Sequence, residues 1–221
     1  MKKADLAFHI LQQQDISLLS RYPQIPKDWI KEILWFGGYA SEKANLPEYG
    51  IKFLEFGVKI LPEDLKIWTT YGDVLLKADL MDRCYLAYRR AIEIAPKEAE
   101  NYRLLIEAYF RGSEWKLAKK TIDKLDHVLQ STTQTPQDMN RYRVDVQRSY
   151  GILEQNLGNP KKARKFFNNG QKIDVRNPFN NLAFARFEKS LGNLRQAREL
   201  ANLSLQFHPD KEEVAEFIRT F

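Results

Sequence analysis

One cysteine in 221 residues, Cys84, leaves no partner for an intramolecular disulfide and too few thiolates for a cysteine-rich zinc site. The same scarcity favours a reducing, cytoplasmic location. Histidine is almost as sparse. His9, His127 and His208 are far apart, and no two stand at metal-ligand spacing on one helix. A phosphate-cradling GxxxxGK[ST] loop and a GxSxG elbow are both missing, and no carboxylate pair stands out as an acid and a base. These absences argue against an enzyme, a bound metal or cofactor, and a small-molecule substrate. No apolar run approaches the roughly 20 residues that a membrane-spanning helix requires. The run Leu6 to Leu11 is short, broken by His9, and followed by Gln12, Gln13, Gln14 and Asp15 where a signal peptide would carry small residues. The sequence therefore predicts a soluble chain without a membrane partner.

What the chain does contain is enough apolar material, 43%, to bury a continuous core. Thirty-five Lys and Arg against 29 Asp and Glu leave a net charge of +6, which suits an anionic partner but is modest for a dedicated nucleic-acid binder.

At an offset of 34 residues the chain repeats itself. Counting Leu65 as position 1, Trp68 stands at position 4, Gly72 at 8, Leu75 at 11, Cys84 at 20, Tyr88 at 24, Ala91 at 27 and Pro96 at 32. One period earlier, from Lys31, the same places hold Leu34, Gly38, Gly50, Leu54, Gly57 and Pro62, with Gly37 at position 7. One period later, from Ala99, they hold Tyr102, Tyr109, Ala118, Ile122 and Leu125, while Ile106 replaces the small residue at 8. A fourth copy arrives 11 residues late, from Val144, with Gly151, Ala163, Phe167 and Gly170. The fifth, from Pro178, carries Ala185, Ala197, Ser204 and Pro209.

This pattern resembles the tetratricopeptide repeat, a helix-turn-helix of 34 residues with large and small residues alternating at those positions. The resemblance implies an all-α solenoid of five repeats, 31–64, 65–98, 99–132, 144–177 and 178–211, wound as a right-handed superhelix. Small residues at positions 8 and 20 are expected to face each other between helices A and B, with aromatics filling the gaps between neighbouring pairs. A glycine inside a helix costs about 1 kcal/mol relative to alanine, so Gly38, Gly72 and Gly151 require close packing to offset it.

An insertion at 131–143 precedes the fourth copy. Thr135 as cap, Pro136 at the first helical position, and Met139, Tyr142, Val146, Tyr150, Leu153 and Leu157 at spacings of three and four predict a short linker and a helix A lengthened by about two turns. Residues 1–28 read as an N-terminal capping helix, Ala4 to Leu19, and a turn, with Asp28 as N-cap of the first repeat helix. Residues 212–221 read as a C-terminal capping helix with Val214, Phe217 and Ile218 on one face.

In the tetratricopeptide family the helix A faces line a concave groove, chiefly at positions 2, 5, 9, 12 and 13. The resemblance thus marks Trp35 and Tyr39 in the first repeat, Lys66, Asp73 and Lys77 in the second, and Arg103, Phe110 and Arg111 in the third. The fourth contributes Arg148 and the fifth Arg186 and Lys189, a basic end faced only by Asp145. A protein or peptide with apolar and acidic residues is the expected partner of such a groove. The carboxylate clamp that grips chaperone tails is not matched, because Trp35, Tyr39, Thr70, Glu100 and Leu104 stand at its positions.

The last two copies, GILEQNLGNPKKARKFF and ARFEKSLGNLRQAREL, share Glu at position 11, Gly-Asn at 15 and 16, and Ala-Arg at 20 and 21. That is similar to the half-a-TPR variant of RNA-processing proteins. It implies pairing of Glu154 with Arg164 and of Glu188 with Arg198 between helices A and B. Together with the cluster Lys161 to Lys165, it makes RNA the alternative partner.

Overall fold

The computed structural model describes residues 26–43, 46–131 and 136–221. Among these residues there are eleven helices and no strand: α1 (Lys27–Lys43), α2 (Pro47–Ile60), α3 (Leu65–Lys77), α4 (Met81–Ile94), α5 (Ala99–Arg111), α6 (Trp115–Ser131), α7 (Pro136–Asn156), α8 (Pro160–Ile173), α9 (Pro178–Ser190), α10 (Leu194–Phe207) and α11 (Lys211–Arg219). They fall into two compact units, one ending at Gly112 and the other running from Ser113. The expected N-terminal helix and the Thr135 cap lie outside the described residues.

In the first unit α1 pairs with α2 and α3 with α4, α3 also lies against α1 and α2, and α5 packs on α4. In the second, α7 pairs with α8 and α9 with α10, α6 lies against α7, α9 touches both α7 and α8, and α11 rests on α10. Polar side chains set several helix starts. Asp64 accepts from Ile67 N at 3.1 Å, Asn177 from Asn180 N at 2.9 Å and Asp210 from Glu213 N at 3.0 Å, each satisfying an amide that the helix leaves without a partner. Pro47 and Pro160 open α2 and α8, where a missing N–H costs nothing. Asp28 does not cap α1 as expected. It lies within the first turn, and the carbonyl of Pro26 accepts the first helical bonds from Trp29 and Ile30.

Four of the helix-to-helix turns each hold one residue in the left-handed region. Asp79, Ser113, Gly158 and Gly192 all have φ between 59° and 80°, and all four stand at motif position 15. Glycine there is unstrained, whereas Asp and Ser pay for the left-handed backbone.

Close packing is concentrated where glycines face large side chains. A Cβ on Gly38 would lie 2.5 Å from Leu54, one on Gly151 2.7 Å from Phe167, and one on Gly72 would run into the ring of Tyr88. The first pair also brings positions 8 and 20 together, since a Cβ on Gly50 would be 3.2 Å from the carbonyl of Gly38. The position-24 side chain thus fills a notch inside its own hairpin, whereas the expectation placed aromatics in the gaps between neighbouring hairpins. Phe167 does both: it also stacks on Phe184 of the next hairpin, ring centroids 5.3 Å apart.

The lengthened helix is present. α7 runs for 21 residues from Pro136, against 13 for α3, α5 and α9, and buries Met139, Val144, Val146 and Leu153. At the other end α11 buries Val214 and lays Phe217 and Ile218 on the Phe167, Phe184 and Phe187 core.

Candidate functional site

The helix A positions marked by the repeat frame fall in both units. In the first, Trp35 and Tyr39 occupy successive turns of α1 and stack, 5.6 Å between centroids and 18° between planes. The ammonium of Lys66, from α3, sits 3.3 Å above the Trp35 ring. Three marked residues from two helices therefore form one aromatic and cationic ledge, with Tyr39 40% exposed. Asp73 lies further along α3 and accepts from the Tyr88 hydroxyl at 2.6 Å. That bond fixes the carboxylate, while burial and then the charge of Asp73 push the Tyr88 phenol upward, so it stays a donor. Lys77 is exposed in the last turn of the same helix.

On α5 the marked residues are less available. Arg103 bonds to both oxygens of Glu100, at 2.6 and 3.1 Å, and to Glu107 at 2.9 Å. Phe110 is half-buried, and Arg111 approaches Asp79 at 3.8 Å. Asp73 shares α3 with Lys66 of the ledge, whereas Arg103 is engaged by carboxylates of its own helix.

In the second unit Arg148 pairs with the buried Asp145 at 3.0 Å and lies over the ring of Phe179, 5.8 Å away. Arg186 and Lys189 are not faced by Asp145 alone, which corrects the expectation from sequence. Arg186 pairs with Glu213 of α11 at 2.7 Å and lies 5.8 Å over Phe217. Lys189 donates to the Thr220 carbonyl at 2.9 Å and approaches the rings of Phe217 and Phe221 at 5.2 and 4.9 Å. The repeat frame carried one period further places Glu213 and Thr220 at positions 2 and 9, the same face that holds Arg186 and Lys189. Reading α11 only as a cap hides this signal.

The half-a-TPR pairing is also corrected. Glu188 is fully buried and takes both bonds of the Arg164 guanidinium, at 2.6 and 2.8 Å, so the arginine of one helix B reaches the glutamate of the following helix A. Within each hairpin the glutamate is instead held by the turn asparagine: Asn159 donates to Glu154 at 2.8 Å and Asn193 to Glu188 at 2.6 Å. The reason is angular. Ala163 points into its own hairpin, and the next residue is turned about 100° around the helix, toward the following one. Arg198 forms no such pair among the described residues and lies 5.5 Å over Phe221. Burial raises the Glu188 carboxyl, but Arg164 and Asn193 more than reverse this and hold it below its ordinary value.

Chemistry beyond binding finds little to work with. Cys84 is completely buried, and desolvation followed by Asp73 pushes its thiol up to about 12, so it is a packing residue and not a nucleophile. No group of three or more potential metal ligands occurs among the described residues. No helix among them is long and apolar enough to cross a membrane.

No protein-family profile and no curated protein matches this sequence. Solved structures do match in fold. The chain is similar to TTC0263, a thermophilic TPR protein of Thermus thermophilus, with a TM-score of 0.61 and 17% identity over 86% of this chain and 97% of that one. PilF of Pseudomonas aeruginosa superimposes with a TM-score of 0.61 at 13% identity, covering 85% of this chain and 80% of PilF. MamA superimposes with a TM-score of 0.57 at 14% identity over 83% and 94% of the two chains. At these identities the likeness establishes the fold, an all-α helical-repeat solenoid of the tetratricopeptide kind, in agreement with the repeat read from the sequence.

Proposed function

We propose that this chain is a non-enzymatic, cytoplasmic interaction scaffold that binds a protein or peptide on the helix A faces of its hairpins. The observation that supports this most is the ledge of Trp35, Tyr39 and Lys66. Two stacked rings with a cation over one of them are held in place by α1 and α3, and part of the aromatic surface remains open to solvent. Rigid aromatics of this kind give large contact area at low entropic cost and are enriched among the residues that dominate binding energy. Asp73, fixed by Tyr88, and Lys77 supply polar selectivity beside the ledge. In the second unit Phe179, 39% exposed under Arg148, offers the same combination of ring and cation. Such surfaces suit a partner segment with apolar side chains and mixed charge.

RNA gains no support at these faces, where Arg103, Arg148 and Arg186 are already paired with carboxylates. The test is affinity capture from cells that express the protein. A Trp35→Ala, Tyr39→Ala variant with unchanged helical circular dichroism should lose a partner that a Leu86→Ala variant, altered at an exposed position of α4, retains. Equal capture by both would overturn the proposal.

A further inference from the structure

The chain's net positive charge is confined to one unit. Residues 1–112 hold 16 Lys and Arg and 16 Asp and Glu, whereas Ser113–Phe221 hold 19 against 13, so the whole excess of +6 lies in the second unit. Within that unit it is concentrated again. α8 carries Lys161, Lys162, Arg164, Lys165 and Lys172 with no acidic residue, and α6 carries four lysines against Asp123 and Asp126.

Tyr150 of α7 bridges these two helices: its hydroxyl donates to Asp123 of α6 at 2.5 Å and its ring stacks on Phe166 of α8 at 4.9 Å. Their lysines also hold equivalent positions in the repeat. Lys116 and Lys120 flank the buried Ala118 and Ile122 in the same register in which Lys161 and Lys165 flank Ala163 and Phe167. Lys124 and Lys172 extend the rows, and the lysines of both rows lie toward solvent. None forms an ion pair with another described residue. Asp123 of α6 is occupied by Tyr150 and Lys119, and although burial raises its carboxyl these two partners hold it below its ordinary value.

We propose that this lysine face of α6 and α8 is a second binding surface, distinct from the helix A faces, and that it takes a nucleic-acid strand through its phosphates. Three properties select this partner among anions. Lysines at i and i+4 place charges about 6 Å apart along each helix, a repeat that a phosphodiester chain can follow. No large apolar side chain on α6 or α8 is exposed, so the face lacks the anchor that a lipid surface or an acidic peptide needs for stable attachment. Point charges without aromatic or forked donors contact phosphates and leave bases unread, so the binding is independent of sequence.

The test is fluorescence anisotropy of a labelled uridine oligomer long enough to cross both helices, with the full chain, at ~50 and ~200 mM salt. With six lysines engaged the log–log slope against salt is about −4, taking roughly 0.7 per phosphate contact on a single strand. Lys161→Glu with Lys165→Glu should flatten the slope by about 1.4, and adding Lys116→Glu and Lys120→Glu should abolish binding. The same reversals at Lys52 and Lys59, exposed on α2 of the first unit, should leave binding intact. No binding at the lower salt, or binding indifferent to the four reversals, overturns the proposal. So does capture of phosphatidylserine vesicles with the same lysine dependence. Because all of these lysines lie off the helix A faces, the capture experiment on Trp35 and Tyr39 succeeds or fails independently.

Discussion

Gly72 and Gly158 are both glycine for opposite reasons, and substitution separates them. At Gly72 the backbone is helical and alanine would be the better helix former, yet its methyl would meet the Tyr88 ring, which is itself fully buried. Gly72→Ala should therefore destabilise the protein by about 1–3 kcal/mol in urea unfolding, the usual cost of overpacking a filled core. At position 15 of the frame the demand is on φ. Ser113, at 59°, holds a conformation that Gly158 and Gly192 adopt without strain. Ser113→Gly should raise stability by about 0.5 kcal/mol, the relief of left-handed strain less the added chain entropy of glycine. Thermal melts of the two variants should move in opposite directions. The packing glycines are legible in the sequence because they recur at a fixed offset. Their partners at position 24 are not, since the repeat names both positions without saying which faces which.

Between elements, the buried contact of Glu188 with Arg164 and Asn193 joins three segments: α8, α9 and the turn before α10. Glu188→Ala leaves the guanidinium and the amide without their acceptor, and a loss of about 2–3 kcal/mol is expected, moderated because Arg164 can turn to water. The sign of its pH dependence follows from the lowered carboxyl. Stability from this group is complete above the unfolded value, about 4.3, and is lost as pH falls through the lower folded value. Acid unfolding of Glu188→Gln should accordingly be shallower over that interval than that of the wild type. An equal slope would mean that another carboxylate governs the transition. Helix spans are readable from apolar spacing, down to the long α7 opening at Pro136. The ion pairs are not, because spacing along a chain gives the face of one helix and not the direction in which its edge meets the next hairpin. The half-a-TPR resemblance pairs Arg164 with Glu154 for that reason, and the repeat frame leaves Arg186 without Glu213.

For the molecule as a whole, two surfaces with different chemistry emerge from one repeat. Helix A positions carry aromatics with fixed polar neighbours, and two helices B of the second unit carry lysines. The resemblance to the tetratricopeptide repeat marks the first set, since positions 2, 5 and 9 hold Trp35, Tyr39, Lys66 and Asp73 in register. It does not show that Arg186 and Lys189 are engaged by Glu213 and Thr220, which depends on how α11 meets α9. The lysine face is partly visible as KKARK, but its extension to Lys116 and Lys120 needs the contact of α6 and α8 through Tyr150. The measurement that bears most directly on the scaffold reading is site-specific photocrosslinking in cells, with a benzophenone side chain placed in turn at Tyr39, Phe179 and Leu86, residues that are 40%, 39% and 61% exposed. Adducts to a common protein from Tyr39 and Phe179, with none from Leu86, are the result predicted here; adducts from Leu86 alone, or the same adducts from all three, would contradict it.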